Sequence, residues 1–123
     1  MQTLVIICGV YSLGFAGFHI AFWKLFGWKK DLGNLRFYNK AIMQILNLRL
    51  IYVFAFTAAV CFIFPRELAT TALGKTFLAG NALFWLGRTI EQFIFLPQRN
   101  WMVGILTGIF ILGFILFLLP VIF

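Results

Sequence analysis

A chain of 123 residues with 63% hydrophobic, 20% aromatic and only 11% charged side chains cannot cover itself against water, since a soluble domain is about half apolar and about a quarter charged. A mean hydropathy of +1.03 agrees and makes lipid the outer solvent. The formal charge of +7 does not point to nucleic acid, because the ten Lys and Arg residues fall mainly in short segments between apolar runs, where they set orientation.

Thr3 to Trp23 carries no charge and one strongly polar side chain, His19, over roughly the 20 residues a helix needs to cross about 30 Å of hydrocarbon. It is the first expected span. No basic stretch precedes it and no small-residue cleavage site follows, so it is expected to stay in the mature protein. Next come Lys24, Lys29, Lys30, Arg36 and Lys40, with Leu25, Trp28, Leu32 and Leu35 at helical spacing among them. This pattern predicts a short amphipathic segment along the membrane surface, its cations touching anionic lipid headgroups. Trp23, Trp28 and Tyr38 are of the types that settle in the headgroup zone.

Ala41 to Phe64 is the second expected span, stopped by Pro65 and followed by a short polar connection, Arg66, Glu67 and Thr70 to Lys75; the third span runs from Thr76 to Leu96. A tight turn is expected over Pro97 to Asn100, and the uncharged run Trp101 to Leu119 is the fourth span. The expected fold is therefore all-α: one transmembrane domain over residues 1–123, an antiparallel up-down four-helix bundle. Six basic residues flank the spans on one side, with Arg99 joining the five of the first loop, against Arg66 and Lys75 on the other. The positive-inside rule puts loops one and three in the cytoplasm and both termini outside. A bacterial inner (plasma) membrane suits a multi-pass chain that opens this way.

Depth along the helices, at about 1.5 Å per residue, gathers the polar groups. His19 lies about 6 Å from the inner end of the first helix, Gln44, Asn47 and Arg49 about 5 to 12 Å into the second, and Arg88, Glu91 and Gln92 about 6 to 12 Å from the inner end of the third. Charged groups inside a membrane normally face the bundle interior and pair, so Glu91 is expected to pair with Arg49 or Arg88. Asn81, Trp85, Arg88 and Gln92 recur at helical intervals on one stripe. Gln44 and Asn47 share a face, whereas Arg49 points nearly the opposite way and can snorkel to the headgroups. For close helix packing the candidates are Ser12 with Ala16, Gly80 with Gly87, and the G-x-x-x-G pair Gly104 and Gly108, with contacts expected inside the bundle.

Catalytic chemistry finds no motif. Cys8 and Cys61 sit in apolar runs without C-x-x-C spacing and read as small hydrophobes; sparse Cys and His indicate neither metal nor cofactor. Nucleotide and metalloprotease signatures are absent from the sequence. Four spans in this length resemble the small multidrug transporters in outline, but the glutamate that marks their first helix has no counterpart between Thr3 and Trp23.

Three functions fit, in order. The first is a non-enzymatic membrane component, either a small subunit of a larger complex or a lipid-interacting helper. The second is an oligomeric small-solute or proton-coupled transporter using His19, Arg88 and Glu91. The third is a membrane enzyme acting on a lipid or quinone-like substrate. Expected partners are the bilayer and either further copies of this chain or a larger membrane complex, with no nucleic acid.

Overall fold

The computed structural model describes residues 2–22, 32–95 and 101–123. Among the described residues the elements are α1 (Gln2–Ile20), a 3-10 turn (Leu32–Asn34), α2 (Phe37–Ile63), α3 (Pro65–Thr70), α4 (Ala72–Phe95) and α5 (Trp101–Ile122). The expected all-α class is observed, and helices are the form that lets an apolar run satisfy its backbone without water. Helices α1, α2 and α5 are each long and apolar enough to cross a membrane. Helix α4 has the length, 24 residues, but Arg88, Glu91, Gln92 and Asn81 keep it below the same apolarity. Most of the surface segment expected between the first two helices, including Trp23, Lys24, Leu25, Trp28, Lys29 and Lys30, lies outside the described residues, as does the turn over Pro97 to Asn100.

Element ends follow local chemistry. Helix α2 begins at Phe37, earlier than the hydrophobic run suggested, because no Gly or Pro interrupts residues 37–40 and the Lys40 N–H already donates to the Arg36 carbonyl at 3.0 Å. It stops before Pro65, whose ring bars Phe64 from helical geometry; Phe64 sits at φ −122°, ψ 47°. Pro65 then opens α3, a short helix where a polar connection was expected, since Pro is well suited to a first helical position. Thr71 is extended and works in both directions: its hydroxyl donates to Glu67 O at 2.7 Å and accepts from Gly74 N–H at 2.9 Å, capping α4. Gly74 is required there, because a Cβ would overlap the Leu68 backbone and come within 2.5 Å of Glu67 O.

The chain forms two compact units. In the unit Gly9–Val60, Phe15 meets Phe54 with ring centroids 5.8 Å apart, and Ser12, Ala16, Ala58 and Thr57 are buried. The other unit joins residues up to Cys8 with Cys61–Phe123. There Gly74, Leu78, Ala82, Trp85, Thr89 and Gln92 form the buried stripe of α4, packed against α5 through a Trp85–Phe110 stack at 5.8 Å.

Helix α5 runs through Pro120 to Ile122, beyond its expected end. Proline has no N–H, so the Leu116 carbonyl, four residues earlier, loses its helical donor. The Cys8 thiol supplies one instead, donating to Leu116 O at 3.1 Å. Cys8 is therefore more than the small hydrophobe its sequence setting suggested.

Candidate functional site

In the unit Gly9–Val60 the polar centre is His19 with Asn47. His19 is buried in the last turn of α1, and its Nδ1 donates to the Phe15 carbonyl at 2.9 Å, which fixes the ring against its own helix. The imidazole stacks on Phe22 at 4.3 Å and packs on Phe54 at 5.1 Å and Phe18 at 5.8 Å. Asn47, on α2, donates through Nδ2 to the His19 backbone carbonyl at 3.0 Å. The last carbonyls of a helix have no partner of their own, so Asn47 caps α1 from the neighbouring helix. Its Oδ1 is buried and accepts nothing among the described residues.

Gln44 is half-buried and donates to Lys40 O one turn back. Arg49 lies on the exposed side of α2, as the spacing from Asn47 implied, with its guanidinium carbon 5.7 Å from the Tyr52 ring; Tyr52 in turn stacks on Phe56 at 6.0 Å. Arg36 and Lys40 are exposed at the start of α2, beside Phe37 and Tyr38, which are both 78% exposed.

The second polar centre belongs to α4 and α5. Gln92 is 1% exposed and reaches the Val103 carbonyl through a long 3.4 Å bond, leaving Oε1 without a donor among the described residues. Thr89 donates to Trp85 O, Thr107 to Val103 O and Asn81 to Phe77 O, all at 2.8 to 3.0 Å. Arg88 is half-buried with its guanidinium 4.6 Å from the Phe110 ring centre, a cation over an aromatic face.

The ion pair expected of Glu91 with Arg49 or Arg88 is not formed among the described residues. Glu91 is exposed and makes no ion pair with Arg88, which turns to Phe110 because that ring offers a desolvated face on the packed side of α4. Among the described residues neither Arg49 nor Glu91 is ion-paired. The glycines also depart from expectation: Gly80, Gly104 and Gly108 are exposed and Gly87 is half-buried, with open space where each Cβ would stand. Ser12 and Ala16, by contrast, are buried.

Sequence reasoning missed Thr89, Thr107, Phe54, Phe110 and the structural use of Cys8. Thr89 falls four residues from Trp85, a spacing that could have revealed its bond to that carbonyl. The aromatic partners had no such signal, because phenylalanine is everywhere in this chain. No group of three or more His, Cys, Asp or Glu side chains among the described residues could hold a metal ion. Comparison with protein-family models, with curated proteins and with solved structures finds no match for this chain.

Proposed function

We propose that this chain is a four-span, non-catalytic component of a bacterial inner membrane, a small subunit of a larger assembly or a lipid-interacting helper. The observation that carries the reading is where the buried polar side chains go. His19, Asn47, Thr89 and Gln92 each donate to a backbone carbonyl, Asn47 and Gln92 to one on a neighbouring helix and His19 and Thr89 to one on their own, as packing groups rather than substrate-binding groups do. In this reading α4 crosses with its polar side shielded against α5, loops one and three face the cytoplasm, and Arg36 and Lys40 meet anionic headgroups.

The test is native mass spectrometry of the chain released gently from its own membrane, paired with flux in proteoliposomes. The reading predicts an assembly larger than one chain and no movement of protons or small cations from pH 5 to 8. Flux that disappears in Glu91→Gln would overturn it. Such flux would support the alternative, an oligomeric transporter using His19, Arg88 and Glu91. That alternative draws on one observation, the buried acceptors Asn47 Oδ1 and Gln92 Oε1, which a bound water or solute would satisfy.

A further inference from the structure

Arg49 and Glu91 are exposed charges set in apolar surfaces, and neither is ion-paired among the described residues. Arg49 lies nine residues past Lys40, about 14 Å along α2, on a face whose exposed neighbours are Ile45, Leu46, Leu48, Tyr52 and Val53. A charge facing lipid at such depth is unfavourable unless it is paired or snorkels out. Snorkelling does not describe this side chain: its guanidinium stays beside Tyr52, one turn further into the helix, in a column continued by Phe56. Glu91 is the only acid in the four long helices; the others, Asp31 and Glu67, lie outside them. It sits four residues, or about 6 Å, from the described end of α4, exposed among Ile90, Ile94 and Phe95.

Resting on the four-span reading above, we infer that these two faces dock between copies of this chain, Arg49 of one copy pairing with Glu91 of the next. That reading brings the Phe37 end of α2 and the Phe95 end of α4 to the same side of the membrane. Both charges then lie in one half of the bilayer, within reach of the long arginine stem. Opposite charges, each exposed and each set in an apolar surface, identify a second copy as an occupant that satisfies both at once. Association removes both from lipid and covers the leucine, isoleucine and aromatic side chains around them.

The test uses full-length chains with two different tags, co-expressed and captured from detergent through one tag. Wild type captures wild type. R49E captures R49E, and E91R captures E91R, roughly tenfold less well, because each mixture sets like charges against each other. R49E captures E91R at about the wild-type level, since one chain then carries only acid at the two positions and the other only base. Undiminished self-capture of R49E and of E91R would overturn the inference, as would failure of the mixed pair when both chains keep wild-type helicity by circular dichroism. Should either variant lose that helicity, capture of wild type by the R49K/E91D chain at the wild-type level supports the inference and its loss overturns it. Failure of the mixed pair with all chains still membrane-embedded removes only this interface; chains that wash out of membranes in carbonate would remove the four-span reading as well.

Discussion

In the unit Gly9–Val60 an amide reaches from one helix to cap the end of another, and the only charge on α2 beyond Lys40, that of Arg49, is turned outward. In the unit holding α4 and α5 a full cation, Arg88, is drawn against Phe110, and the polar stripe around it bonds mostly to its own helices. The difference lies in where desolvation falls. Neutral amides and hydroxyls can be buried once a carbonyl is in reach, whereas a guanidinium also needs an electron-rich surface over it. Both regions pair rings with a bond between helices, but only in the α4–α5 region do the rings also cover a cation.

That contrast is open to attack by substitution. The largest effect belongs to the rings: Phe110→Ala should cost about 3 to 5 kcal/mol in detergent unfolding, and more than Phe54→Ala, because it uncovers Arg88 as well as opening a cavity beside Trp85. Equal losses at the two positions would mean that Arg88 gains nothing from Phe110. Next is Gly74→Ala, expected to lose about 1 to 3 kcal/mol through overlap with the α3 backbone. Gly104→Ala, made where space is open, should be neutral or slightly stabilising in the same assay.

Smaller again is Cys8→Ala, which leaves the Leu116 carbonyl without a donor and should cost about 1 kcal/mol, with Cys8→Ser recovering part of it. Least of all is Asn47→Leu. It removes the cap on α1 but also a buried acceptor that has no donor, so the change should stay within about 1 kcal/mol. A loss several times larger would show that Asn47 Oδ1 is satisfied after all, by water or a ligand.

What the sequence revealed follows from how membranes constrain a chain. Long apolar runs of this length favour helices, and Pro65 had to interrupt them, so α1, α2 and α5 were legible to within a few residues. The short α3 was not, because Arg66, Glu67 and Thr70 look like any polar connection until Pro65 and Thr71 are seen to bound it. Helical spacing separated Asn47 from Arg49 correctly. It set Glu91 beside the Arg88 stripe, where the residue is exposed; what did not form is the ion pair expected of it. Close contact was expected at Gly104 and Gly108 and is not observed, because their motif does not say whether a neighbouring helix exists. Which carbonyl a polar side chain would choose depended on partners far apart in sequence, as with Cys8 and Leu116, and no local pattern encodes that.

The central claim is that the buried polar groups bond to helix carbonyls, within a helix or across to its neighbour, and line no water-filled cavity. Cysteine accessibility tests it most directly, with Asn47→Cys, Gln92→Cys and Arg49→Cys each placed in a Cys8→Ser/Cys61→Ser chain and exposed in intact membranes to a small charged thiol reagent. The account predicts that the thiols at positions 47 and 92 stay unmodified from either side of the membrane until the protein is denatured. Rapid modification of both in the folded protein would contradict it.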